Sequence, residues 1–167
     1  MPSVEAFAKE TKPHADAFAP KRVLFVCTGN TCRSPMAAAL LNHTVREREI
    51  VPSLLATSAG LFAAEGAPIS AIAAGALAEA GVATEEFEGH VAQTVSADMV
   101  KQADVVIGIT ARHAMELMMR FPESAAKIEA LPMDIEDPFG GDLSVYRGCL
   151  SMLSYAIAMR FFGGEAT

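Results

Sequence analysis

The chain switches between two hydrophobic periods. Residues 22–27, RVLFVC, hold VLFV with no polar break, which predicts a strand buried on both faces. Residues 34–47 then follow a helical pattern, with Ser34 expected as N-cap and Pro35 at the first helical position. Leu54–Ser58 predicts a second strand closed by Ala59 and Gly60. Ile69, Ile72, Ala73, Ala76, Leu77 and Ala80 fall on one helical face, and Gly81 is the expected stop. Ser96 is placed to cap a short helix to Gln102, Asp104–Ile109 (DVVIGI) predicts a third buried strand, and Thr110–Arg120 a helix ended by Phe121-Pro122. A short fourth strand, Lys127–Leu131, precedes the turn-rich loop MDIEDPFGGD. Asp142 then caps a last helix with Val145, Cys149, Met152, Leu153 and Ile157 on one face. Such alternation predicts an α/β domain: a parallel sheet covered by helices on both faces, with ligands at the carboxyl ends of its strands.

The composition shift at Pro20 sets residues 1–20 apart as an extension before a domain spanning 21–167. In the extension Val4, Phe7, Ala8 and Thr11 have the spacing of a short amphipathic helix. The 167 residues carry a formal net charge of −7, which argues against nucleic acid or an anionic membrane as partner. Three cysteines are an odd number and no disulfide framework, so a reducing, cytoplasmic setting is expected. The four histidines are scattered, no metal-ligand spacing appears, and no apolar run is long enough to span a bilayer. No metal, no cofactor and a monomer are the expectations.

The chemistry concentrates in CTGNTCRS, residues 27–34, between the first strand and its helix. A helix N-terminus offers unpaired N–H groups and a partial positive charge, which together bind phosphate. Gly29 and Asn30 both tolerate positive φ, so alternating backbone handedness is expected to turn successive amides of Thr28, Gly29, Asn30, Thr31 and Cys32 inward as an anion nest. Arg33 adds a planar fork for two phosphate oxygens. Cysteines at a helix N-terminus beside a cation favour the thiolate, and a thiolate under a bound phosphate is placed to attack phosphorus. Cys27 is therefore the candidate nucleophile, with the Ser34 hydroxyl as donor to its sulfur. Five residues separate Cys27 from Arg33, enough backbone to circle one tetrahedral anion. A leaving group departing from phosphorus must be protonated, and Asp137, in the loop before the last helix, is the candidate acid.

The run VCTGNTCRSPMA resembles the signature loop of the low-molecular-weight protein tyrosine phosphatases, and TSAG, ADVVIGIT and DPFGG extend the likeness from about Arg22 to near Phe162. The resemblance implies a three-layer, four-stranded parallel sheet with the phosphate loop after its first strand, a phosphocysteine intermediate, and Asp137-Pro138 as general acid. Phosphorylated proteins are the implied partners. Thr31 and Phe139 resemble the protein arginine phosphatase branch, since tyrosine-directed members carry a larger aliphatic residue and a tyrosine at these places. A hydroxyl at the rim suits a guanidino group better than a benzene ring. Phosphoarginine is thus the expected substrate and phosphotyrosine the alternative. Cys32 is expected to guard Cys27 by forming a reversible disulfide after oxidation.

An arsenate reductase of similar loop would need two further relay cysteines, and none lies between Cys32 and Cys149. A phosphate-binding module without catalysis would be expected to lack the nucleophile or the acid. Cys149 reads as core, His90 and His113 as structural polar residues, and Met115, Met118 and Met119 as helix packing. Whether Phe62 or Phe139 lines the cleft is open at this level.

Overall fold

The computed structural model describes residues 19–50 and 53–165. The expected helix around Val4 to Thr11 lies outside them, as does most of the expected extension. Four strands form one parallel sheet: β1 (Lys21–Cys27), β2 (Leu54–Gly60), β3 (Val105–Gly108) and β4 (Ile128–Ala130). They run in the order β2-β1-β3-β4. The helices are α1 (Arg33–Glu47), α2 (Ala71–Glu79), α3 (Ala97–Gln102), α4 (Ala111–Arg120) and α5 (Leu143–Phe161).

The burial of β1 follows from its place at the centre. Val23, Phe25 and Cys27 join a core with α1, α2 and α5, whereas Leu24 and Val26 join a second core with α3 and α4. These two cores, on opposite faces of one sheet, are the three layers that the alternating periods predict. Each fully buried aliphatic or aromatic side chain contributes roughly 1.5–3 kcal/mol relative to exposure. From β1 the chain moves to one side for β2 and to the other for β3. This reversal opens a crevice at the carboxyl end of β1, where a parallel sheet binds its ligand.

Glycines set two close approaches there. A methyl on Gly60 would lie 2.6 Å from the Thr28 carbonyl, and one on Gly108 would lie 2.5 Å from the Ala114 nitrogen. The first lets the end of β2 press against the loop after β1; the second seats α4 on β3.

Several local expectations change. Ser34 does not cap α1, which begins one residue earlier behind Cys32, and no side chain caps it. The Ser34 hydroxyl is held at a sulfur instead. Ser70 caps α2 and Ile72 is exposed, because the buried stripe runs through Ala73, Ala76 and Leu77. Gly81 ends that segment at φ +84°, as expected. On α5 the buried face is Tyr146, Cys149, Leu150, Leu153, Ala156 and Ile157, which leaves Val145 and Met152 exposed. Met115 and Met119 are exposed too, and only Met118 packs against the core. Among the described residues no helix is long and apolar enough to cross a membrane.

Candidate active site

The loop after β1 is tied down residue by residue. Asn30 is fully buried with φ 58°, the left-handed turn that Asn accepts better than most residues. Gly29, expected to share that conformation, does not adopt a positive φ, so the change of hand rests on Asn30 alone. The Asn30 amide spends every bond locally. Its Nδ2 donates to Ser34 Oγ and to Ser58 Oγ, each at 2.9 Å, and its Oδ1 accepts from the Gln93 N–H at 3.0 Å. His90 Nε2 meets the Asn30 carbonyl at 2.7 Å, so the ring donates there. Ser70 N–H, at the start of α2, donates to the Thr31 carbonyl at 2.9 Å. The loop is thus pinned by three distant segments before any ligand arrives, which removes conformational entropy that binding would otherwise cost.

Cys27 lies at the floor and is buried. Its Sγ is 2.9 Å from Ser34 Oγ and receives the Asn30 N–H at 3.4 Å. Ser34 Oγ has one hydrogen and a second acceptor, the Ala59 carbonyl at 3.3 Å. It can therefore turn toward a thiolate or away from a thiol without leaving its place.

Arg33 is buried, and a buried cation requires partners. The chain offers its five donors little: the Ile135 carbonyl at 3.0 Å from Nη1 and, at 3.7 Å from Nη2, the Asp137 carboxylate. Asp137 is half exposed. Its Oδ1 accepts from the Phe139 N–H at 3.1 Å, and its Oδ2 faces the guanidinium. Cys27 to Arg33, Asp137 and Phe139 line one cleft of about 220 Å³. Phe139, 82% exposed, stands at its mouth. Phe62 is not in the lining; its ring lies under the Arg120 guanidinium at 4.5 Å. The arrangement has the parts for attack by sulfur on a bound oxyanion and for proton transfer at the mouth. Among the described residues, no group of three or more His, Cys, Asp or Glu is placed to hold a metal ion.

Two histidines support this site. His90 anchors the loop, in keeping with its structural reading. His113 is buried with Nε2 at 2.9 Å from Thr28 Oγ1, and burial first and the Arg33 charge second lower its pKa to about 4. Since 6.5 is the ordinary value, an unfolded chain takes up a proton that the fold refuses as pH falls from 6.5 toward 4. The stability held by neutral His113 is whole above pH 6.5 and is lost in that window. We expect it to contribute a fall of roughly 2–3 kcal/mol between pH 7.5 and 4.5. Urea unfolding at the two pH values, with His113→Gln flattening the difference, checks this; an equal difference in the variant would remove His113 as its source.

Tyr146, Ser58, Gln93 and Gly60 were missed by sequence reasoning. Tyr146 OH is 3.2 Å from Cys32 Sγ, both buried. A polar residue on an apolar helix face was the available signal for Tyr146, and membership of the TSAG run that for Ser58 and Gly60; Gln93 gave none. Cys149 is core as expected, and burial pushes its thiol up to about 12.

Comparison with known proteins agrees with this geometry. Residues 22–160 match the model of the family described as low molecular weight phosphotyrosine protein phosphatase. A protein-arginine-phosphatase of Geobacillus stearothermophilus is 40% identical over 145 residues, covering 83% of this chain and 92% of that one. The crystal structure of a low molecular weight protein tyrosine phosphatase from T. tengcongensis superposes with a TM-score of 0.76 at 38% identity, over 82% of this chain and 95% of its own. A solved mutant of the YwlE arginine phosphatase, which carries a phosphorylated active site serine, superposes with a TM-score of 0.75 at 27% identity, over 86% of this chain and 99% of its own. With the sheet order, the loop after β1 and these matches together, the chain belongs to the low molecular weight phosphotyrosine protein phosphatase family.

Proposed function

We propose that this protein removes the phosphoryl group from phosphoarginine in proteins by way of a phosphocysteine. The observation that carries the reading is the convergence on one cleft of Cys27 Sγ, held by Ser34 Oγ at 2.9 Å, buried Arg33, and Asp137. The amides of Thr28 to Cys32 and the Arg33 guanidinium hold the phosphoryl oxygens. The Cys27 thiolate attacks phosphorus; the S–P bond forms as the P–N bond breaks, and the leaving nitrogen takes the proton of Asp137. Asp137 then accepts a proton from water, whose oxygen attacks phosphorus. Phosphate leaves, Cys27 is again a thiolate with Ser34 donating to it, and Asp137 is again protonated. Proton transfer of this kind commonly contributes about 10²–10⁴-fold.

Phosphoarginine is favoured over phosphotyrosine by Thr31 and Phe139 at the mouth and by the likeness to a named arginine phosphatase. The carboxylate of Asp137 can also pair with the guanidinium it has just helped to form. The test is kcat/KM on matched phosphoarginine and phosphotyrosine peptides, with a higher value expected for phosphoarginine; equal or reversed values overturn the substrate reading. Thr31→Ile is expected to move the ratio toward phosphotyrosine by about tenfold, the scale of one rim contact.

Cys32 serves in the same reading as the redox partner of Cys27. Peroxide oxidises the Cys27 thiolate to a sulfenic acid; the Cys32 sulfur displaces water to form a disulfide, and an external thiol reduces it. Intact-mass analysis after mild peroxide is expected to show reversible loss of two hydrogens in the wild type and irreversible oxygen addition in Cys32→Ser. Oxygen addition in both would remove Cys32 from this role.

A further inference from the structure

His113 stands behind Thr28, and its hydrogen bonds fix which way that contact runs. The Nδ1 atom accepts the Thr110 backbone N–H at 3.2 Å. Thr110 Oγ1, 3.0 Å from the same nitrogen, is itself the acceptor of the His113 N–H, closing the cap of α4. With Nδ1 an acceptor, the ring proton is assigned to Nε2, which donates to Thr28 Oγ1 at 2.9 Å. The ring remains neutral at ordinary pH, since burial and Arg33 hold its pKa to about 4. Thr28 Oγ1 therefore keeps one lone pair and its own hydrogen.

Thr28 differs from the floor of the loop. Cys27, Asn30 and Cys32 are buried, whereas Thr28 is exposed and lines the cleft together with Thr31, Asp137 and Phe139. The leaving group occupies the mouth, not the floor. We infer that Thr28, held by His113, is a second selector of the leaving group, accepting an N–H of the guanidino group through its free lone pair, and that His113 is its positioning residue. A phenol ring has no N–H to offer there. The bond from His113 restricts the threonine to one rotamer, so the orienting cost is met in folding and not on binding. A hydroxyl that already accepts a hydrogen bond is also polarised by it.

This inference rests on the phosphoarginine reading, and the experiment separates the two. The ratio of kcat/KM for phosphoarginine over phosphotyrosine peptides is measured for wild type, Thr28→Val, His113→Ala, His113→Gln and the double variant Thr28→Val/His113→Ala. Thr28→Val is expected to lower the ratio about tenfold, the scale of one hydrogen bond to a charged partner. His113→Ala should lower it as far, the double variant no further, and His113→Gln, whose amide can donate in place of Nε2, should restore most of it. Thermal unfolding of each variant registers any loss of fold; if His113→Ala does not fold, the near-isosteric Thr28→Val and His113→Gln decide alone. An unchanged ratio in Thr28→Val overturns the inference, as does a His113→Ala effect that persists in full on the Thr28→Val background. A wild type that prefers phosphotyrosine defeats the substrate reading, and this inference with it, before any variant is compared.

Discussion

Cys27→Ser should bind phosphate and turn over nothing measurable. The substituted oxygen sits where Sγ lies, within reach of Ser34 and the Asn30 amide, so the loop keeps its shape. A hydroxyl at neutral pH is a far weaker nucleophile than a thiolate, and among the described residues its hydrogen-bond neighbours are no bases: Asn30 and Ser34 are neutral, and His113 bonds to Thr28. Removing the attacking atom of a covalent mechanism costs roughly 10⁴–10⁶-fold in kcat. The measurement pairs steady-state turnover of a phosphoarginine peptide and an aryl phosphate with calorimetric binding of phosphate or vanadate. Retained binding with lost turnover is the expected pair. Turnover within tenfold of wild type would place the nucleophile elsewhere.

Asp137→Asn is expected to lower turnover of a poor leaving group by about 10²–10⁴-fold and to change which species accumulates. The amide oxygen can still accept the Phe139 N–H, so the loop keeps its turn and only the transferable proton is lost. With a nitrophenyl phosphate, whose leaving group needs no proton, the first step survives while hydrolysis of the phosphocysteine slows. Rapid quench should then show a burst of nitrophenol of about one equivalent, and intact mass should show phosphate on Cys27. A uniform slowing of both substrates with no adduct would mean that Asp137 orders the loop and does not move a proton.

How far these residues were legible from the chain alone depends on whether their role is local. CTGNTCRS carries its meaning in eight consecutive positions: a strand ends, a helix begins, and the residue types between suit an anion. VLFV, likewise, is short, β-branched at both ends and followed by turn formers, which reads as a strand enclosed on both sides. The role of Ser34 was half legible. Serine before proline is a common helix start, yet here the hydroxyl is worth more beside a sulfur, and α1 begins without a side-chain cap. Gly29 was misjudged because one left-handed residue, Asn30, suffices for the turn. The contacts of Ser58, Gln93 and Tyr146 with the loop were not legible, since each acts on it from a strand, a connecting segment or a helix far along the chain. The apolar face of α5 was misplaced for a related cause: 13 of its 19 positions are hydrophobic and they run round the helix, so periodicity could not tell Val145 and Met152 from Leu150 and Ala156.

The anchoring of Asn30 by Ser34, Ser58 and Gln93 has a consequence for how such an enzyme diversifies. None of these anchors is among the residues that line the cleft, apart from Asn30 itself. The shape of the loop and the lining of the cleft therefore rest on largely separate sets of positions. Under the proposed reading, exchange of Thr31 or Phe139 changes the clientele while the rigid cup beneath persists, and a library randomised at those two rim sites should yield altered preferences among proteins that melt at nearly the parental temperature.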